Sequence, residues 1–258
     1  MPLVQRKIQS YGWVPDLPDK RDKKFSVERT VILPAKVDLR GAFMPPIVDQ
    51  GQLGSCTANS IAGALGFDQL KQGEQLVELS RLFIYFNERD MEGTVSSDSG
   101  AMIRDGIKSV NQVGACPETE WPYDISKFTI KPSVDCYNNA VAHKAVVYKS
   151  VSRYNTSIKG IQGALAAGFP VVFGFTVYES FESQAVAANG IVPMPKRGES
   201  VMGGHAVVAV GYDNAKQQVI CRNSWGTNWG DQGYFYLPYS YFMKNGLSSD
   251  FWTVSAVA

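Results

Sequence analysis

Gln50-Gly51-Gln52-Leu53-Gly54-Ser55-Cys56-Thr57-Ala58-Asn59 is the stretch around which the remaining 248 residues organise themselves. Pro45, Pro46, Gly51 and Gly54 make a turn-rich approach, and an apolar stripe follows at Ala58, Ile61, Ala62 and Leu65. That i, i+3, i+4, i+7 spacing predicts a buried helix face. Proline and glycine fit poorly inside a helix, so the helix is predicted to begin near Ser55, with Ser55 as its N-cap. Cys56 then falls in the first turn, where unpaired N–H groups and the positive end of the dipole favour a thiolate. Gly54 allows close backbone approach just before the sulfur.

A lone cysteine is usually a small buried hydrophobe; its partners argue otherwise. A thiolate nucleophile needs a base, and the chain has two histidines. His205 follows Gly203-Gly204 and opens the apolar β-type run Ala206-Val-Val-Ala-Val-Gly-Tyr212, a rigid mount for an imidazole. His143 has no such opening and reads as structural or exposed. Downstream, Asn223-Ser-Trp-Gly-Thr-Asn-Trp-Gly230 offers an asparagine to orient the imidazole, with Trp225 as an aromatic cover.

These three separated motifs, in the order Cys, His, Asn with a Gln six residues before the Cys, resemble the papain-like cysteine peptidases. His205 lies 149 residues after Cys56 and Asn223 lies 167 after it, near the separations known for that family. Leu33-Pro-Ala-Lys-Val-Asp-Leu-Arg40 resembles the start of the mature enzyme, so the likeness runs from about residue 33 to the end. The resemblance implies an α+β, papain-like fold of two lobes. A helical left lobe (47–140) and a β-barrel-like right lobe (141–258) would form the peptidase domain 33–258, with the active site between them. It also implies Cys56, His205, Asn223 and Gln50 as the catalytic set, the Gln50 side-chain amide and the Cys56 backbone N–H binding the oxyanion. Gly54, Ser99, Gly100, Met102, Gly204 and Trp229 are implied to contact substrate. Gly204 leaves no charged selector beside His205, so an apolar preference is expected two residues before the scissile bond. The expected activity is endopeptidase cleavage through a Cys thioester. The alternatives are acyl transfer to an amine by the same chemistry, or a non-catalytic peptide-binding relative.

Relatives carry a cysteine where Leu53 stands, so the bridge next to the nucleophile is absent, as in a bacterial-type branch or a protein of a reducing compartment. Cys221 reads as a buried strand residue, which leaves Cys116 and Cys136 as a possible bridge. With no clustered Cys/His pairs, neither a metal nor a cofactor is expected.

Bulk properties exclude other classes. The chain has 258 residues, 45% hydrophobic and 19% charged, which is enough for a sizeable core. A formal charge of +1 gives no electrostatic case for nucleic acid, and no apolar run approaches a membrane span of about 20 residues. No apolar signal segment opens the chain, which points to the cytoplasm unless a leader was removed or another secretion route is used.

Residues 1–32 read as an extended segment, because Pro15 and Pro18 disfavour helix at the residues before them. Up to Lys36 the chain holds eight Lys/Arg against four Asp/Glu, while the rest is slightly acidic. Tyr11, Trp13, Leu17 and Phe25 are more aromatic and apolar than a solvated tail needs. This segment is therefore expected to pack on the enzyme, as a short pro-segment or cleft cover. Further on, helices are expected from Ser55 to Leu70, over Leu79–Asn87, over Ala101–Val110 and over Ile158–Ala167. Strands are expected over Ala145–Tyr148, Pro170–Val177, Ala206–Gly211, Gln218–Cys221 and Tyr234–Leu237.

Overall fold

A computed structural model describes residues 11–26, 32–41, 43–145, 147–152 and 157–255. In chain order the elements are β1 (Trp13–Val14), β2 (Lys24–Phe25), β3 (Lys36–Asp38), α1 (Cys56–Lys71), α2 (Arg81–Glu92), β4 (Ala101–Met102) and α3 (Ile103–Gln112). Then come α4 (Val134–Ala140), β5 (Val147–Val151), α5 (Lys159–Ala166), β6 (Val171–Tyr178), α6 (Gln184–Asn189) and β7 (Val201–Asp213). The chain ends in β8 (Gln218–Arg222), β9 (Tyr234–Pro238), α7 (Tyr239–Met243) and β10 (Ser248–Ser255).

Among the described residues eight strands form one sheet in the order β2-β5-β10-β6-β7-β8-β9, with β3 also paired to β7, while β1 and β4 pair apart from it. Its path is open among the described residues, so the barrel-like half takes the form of a sheet. Strand β7 is its spine. Side chains alternate across a strand, and here Val207 and Ala209 enter one hydrophobic cluster while Ala206, Val208 and Val210 enter another. The first cluster is aromatic, built on Phe173, Phe175, Phe181, Phe235 and Phe242. The second lies under the helices, with Ile61 and Leu65 of α1, Leu82 and Phe83 of α2, and Ile107 of α3. Helix α1, which opens with Cys56, is thereby pressed against one face of the strand whose other face carries His205.

The expected helices are present with two local corrections. Ser55 sits at the N-cap of α1 but makes no side-chain cap bond, because its hydroxyl pairs with Tyr123 at 2.5 Å. The third helix starts at Ile103; Ala101 and Met102 are strand instead, recruited by pairing with Trp13 and Val14. Ser80 does cap α2, accepting from the Phe83 N–H at 3.1 Å. The strand expected at Ala145–Tyr148 begins at Val147 and continues to Val151. Strand β10 and helices α4, α6 and α7 were not anticipated. Their apolar runs are short, and only partners distant in sequence select their conformation.

Of the N-terminal segment, residues 1–10 and 27–31 lie outside the described residues. Residues 11–26 form an extended strap across the body. Its β1 pairs with β4, and its β2 runs parallel to β5.

Candidate active site

Cys56 is the first residue of α1, as the glycine and proline pattern before it requires. Its sulfur accepts the backbone N–H of Ala206 at 3.3 Å, which places it beside the His205 position on β7. The His205 Nε2 meets Asn223 Oδ1 at 2.8 Å, leaving Nδ1 with no hydrogen-bond partner among the described residues. With Asn223 accepting, the proton sits on Nε2 and the free Nδ1 carries the lone pair. Trp225 lies over the imidazole, ring centroids 5.0 Å apart and 32° from parallel, so the His–Asn bond is shielded from water. His143 is half-buried, and its carbonyl accepts from Ala115. It takes no part.

Gln50 is fully buried, its side chain locked at both ends. Its Oε1 accepts from Ser224 Oγ at 2.6 Å and one Nε2–H is given to Leu53 O at 2.9 Å. An amide carries two N–H donors, so one remains for a ligand. The turn before Cys56 is held from outside as well. Gly54 N donates to Asp98 at 3.0 and 3.1 Å, Tyr123 donates to Gln50 O at 2.9 Å, and Arg222 reaches Pro45 O at 2.7 Å and Pro46 O at 2.5 Å. Sequence reading missed these supports. Ser224 was visible inside Asn-Ser-Trp-Gly, but Tyr123, Asp98 and Arg222 carry no local signal.

The strap covers this site. Gly12 passes so close to the nucleophile turn that a Cβ added to it would lie 1.6 Å from Gly54 O. Its carbonyl accepts from Ala101 N at 2.8 Å, and its N–H faces the Cys56 sulfur. Tyr11 stands edge-on to His205, centroids 5.8 Å apart, and donates to Glu182 at 2.7 Å. The Trp13 ring fills the space left by two glycines: a Cβ on Gly174 would meet it at 1.9 Å, and one on Gly204 at 2.6 Å. Burying an indole on this scale contributes about 3 kcal/mol. Carboxylates hold the next turn. Trp13 Nε1 and Asp16 N both donate to Asp250 Oδ2, while Asp16 accepts from Arg104 N at 3.0 Å and Trp252 Nε1 at 2.8 Å. Arg104 also pairs with Asp22 at 3.3 Å.

Burial under the strap reverses the electrostatics expected of Cys56. Its thiol is pushed up to about 12 by loss of water, which outweighs the N–H groups of Ala206, Gly12 and Thr57 that favour the thiolate. His205 is pulled down to about 4 by the same burial, against the opposing bond to Asn223. In the covered state the pair is a neutral thiol and a neutral imidazole. The field expected of a helix start favours the thiolate, but with water excluded the thiol is the stable form.

The other expected contacts divide. Gly54, Gly100 and Gly204 all face the strap, and Met102 pairs with its Val14. Ser99 is exposed, its hydroxyl turned to Gly100 O at 3.1 Å. Trp229 is 5% exposed, packed on Trp225, Phe181 and Phe235. It fills the aromatic core here and does not line an open surface.

A family profile described as papain family cysteine protease matches residues 33–252. The chain belongs to the papain family of cysteine proteases. Its fold is papain-like and it is a thiol peptidase. It is 42% identical to the uncharacterized peptidase C1-like protein L477 of Acanthamoeba polyphaga mimivirus, over 96% of this chain and 88% of that one. The crystal structure of xylellain, a cysteine protease from Xylella fastidiosa, superposes with a TM-score of 0.89 at 41% identity, covering all of both chains. Cysteine proteinase 3 of Entamoeba histolytica is 32% identical over 79% of this chain, which spans 62% of that longer protein. This papain-family chain has four free cysteines, including Cys56, so the nucleophile turn carries no bridge and is held by the Asp98, Tyr123 and Arg222 bonds. No helix among the described residues is long and apolar enough to cross a membrane.

Proposed function

We propose that this peptidase is made in a latched form and cleaves peptide bonds once residues 11–26 leave the cleft. The observation that carries the reading is the Cys56–His205–Asn223 arrangement lying directly beneath Gly12. With the strap released, water returns to both groups, the thiol proton passes to His205 Nδ1, and the thiolate attacks the scissile carbonyl. The Cys56 N–H and the remaining Gln50 N–H donate to the oxyanion; losing one such donor typically costs about 2.7–4 kcal/mol of barrier. His205 protonates the leaving amine and then activates water against the thioester, while Asn223 keeps the ring in register.

Trp13 supports an apolar preference for the pocket at Gly204. Its indole occupies that space, with Gly174 and Gly204 making room for a large ring. Asp250, at the indole N–H, was overlooked in the sequence. Its carboxyl accepts the indole N–H at 3.1 Å, and burial pushes that carboxyl up against the opposing effect of this bond. A peptide library should favour large apolar or aromatic residues at that subsite, and a dominant demand for Arg or Lys would overturn this.

The central test is a fluorogenic peptide assay of the wild type and Cys56→Ala, with and without a thiol-directed inhibitor. Turnover that survives either the substitution or the inhibitor refutes the mechanism. Product analysis with an added amine separates hydrolysis from acyl transfer; amide products exceeding acid would assign transfer.

A further inference from the structure

Away from the cleft, two sulfurs face each other. Cys116 follows α3, its backbone pinned because Ser80 N donates to its carbonyl at 2.8 Å and Ala115 N donates to His143 O at 3.0 Å. Cys136 lies in α4, its N–H capped by Ser133 Oγ at 3.3 Å. The two Sγ atoms and a carboxylate oxygen of Glu120 all lie within 4.8 Å of one another. Both cysteines are buried, at 0% and 2% exposure. The Cys136 sulfur further receives Ser133 Oγ–H at 3.2 Å and points its own proton towards Glu120 O at 3.8 Å.

Three groups fall short of the four ligands of a closed zinc site. The third, Glu120, is exposed, and one of its oxygens is already used by Asn139 Nδ2 at 3.0 Å. Two sulfurs within 4.8 Å of each other on separately anchored backbones suit a covalent bond better.

What that bond would hold is the support of the nucleophile turn. Between Cys116 and Cys136 lie Glu118, paired with Arg81 at 2.8 Å, and Trp121, whose carbonyl accepts from Ser80 Oγ at 2.6 Å. Tyr123 lies there too, bonded to Ser55 and Gln50 O and stacked under the Arg81 guanidinium at 4.1 Å. The same segment ends on α4, which leaves Val134 and Val141 in solvent.

We propose that Cys116 and Cys136 are an oxidisable pair whose disulfide staples segment 116–136, the buttress of the oxyanion turn. With a small-molecule disulfide as oxidant, one thiolate attacks a reagent sulfur, forming a mixed disulfide and expelling one reagent thiol. The second thiolate attacks the protein sulfur of that mixed disulfide, forming the Cys116–Cys136 bond and expelling the second reagent thiol. Two protein thiols are oxidised, one reagent disulfide is reduced, and the two protons end on the reagent thiols. Burial holds the Cys116 thiol up, with the neighbouring Cys136 adding to it, so reaction proceeds through local opening of α4 or during folding. The Glu120 carboxylate beside the pair favours an uncharged reagent over an anionic one.

The test uses the full chain as Cys56→Ala, which removes the reactive nucleophile from the count. After incubation with hydroxyethyl disulfide, the intact mass should fall by about 2 Da. Tryptic peptides 109–127 and 128–144 should be found linked, and Tm should rise by roughly 5–10 °C over the reduced protein. Cys136→Ser should show neither link nor shift; if that variant does not fold, the peptide map of the parent decides by itself. Stable reagent adducts on either sulfur, or Cys116 and Cys136 both still alkylated along with Cys221 after denaturation, would overturn the proposal. So would one equivalent of zinc retained by the reduced protein and lost in Cys136→Ser, which would assign a metal site.

Discussion

Gly12→Ala is the sharpest perturbation of the latch. Gly12 has no left-handed backbone requirement, so the substitution adds one methyl and no torsional strain. That methyl would sit 1.6 Å from Gly54 O, where real contacts do not come below 3.0 Å, so the strap must withdraw by about 1.4 Å. The obstacle is a backbone carbonyl and cannot rotate away. Overpacking of this kind costs about 1–3 kcal/mol. The withdrawal also stretches the 2.8 Å bond from Ala101 N to Gly12 O beyond hydrogen-bonding range, for about 1 kcal/mol more. Together these raise the open fraction by about 30- to 1,000-fold, at a factor of ten per 1.4 kcal/mol. The assay is the rate of Cys56 carbamidomethylation by iodoacetamide, read by mass spectrometry, alongside fluorogenic peptide turnover. Both should rise until the site is mostly open. If Gly12→Ala labels and turns over no faster than the wild type, while Tm shows it folded, the strap does not gate the nucleophile.

Further outcomes are expected. Asn223→Ala frees the imidazole to rotate and should lower kcat at least tenfold with little change in KM, as for an interaction made mainly in the transition state. The latch should weaken as pH rises: burial first, then the nearby Asp250 charge, lifts the Asp16 carboxyl to about 7 from an ordinary value of 3.8. The docked strap therefore binds a proton that the released strap gives up. Docking is fullest below pH 4 and declines as pH climbs through 7. The nearby cation of Arg104, itself paired with Asp22, opposes this without cancelling it. Wild-type activity relative to Gly12→Ala should accordingly increase by about tenfold or more between pH 4 and pH 7.5, and Asp16→Asn should flatten that ratio; an unchanged slope in Asp16→Asn refutes the assignment. Glu88 accepts Thr57 Oγ1–H at 2.6 Å in full burial, which raises its carboxyl well above the usual range. The raised carboxyl is a stability contribution lost on going to higher pH, so Glu88→Gln should gain in Tm over the wild type from pH 5 to pH 8. Parallel Tm curves would contradict it.

The residues proposed to perform the chemistry are legible in the chain itself. Cys56 at a helix start, His205 at an opening of two glycines and Asn223 before Ser-Trp-Gly are each marked by neighbours in sequence. Turn, cap and strand chemistry act over a few residues. Strands β6 to β9 and helices α1 to α3 were visible for the same reason: their apolar periods repeat long enough to be counted. Tertiary structure alone decided the rest. Trp13 reads as an aromatic in a polar tail until Gly174 and Gly204, some 160 and 190 residues away, leave a space of its shape. Asp250, Tyr123, Asp98 and Arg222 act through partners far along the chain, and no local pattern records such pairings. The ionisation of Cys56 and His205 was decided there as well. A helix end predicts the direction of its own field, but the energy of a charge depends on how much water remains around it, and that is set by what folds over the top.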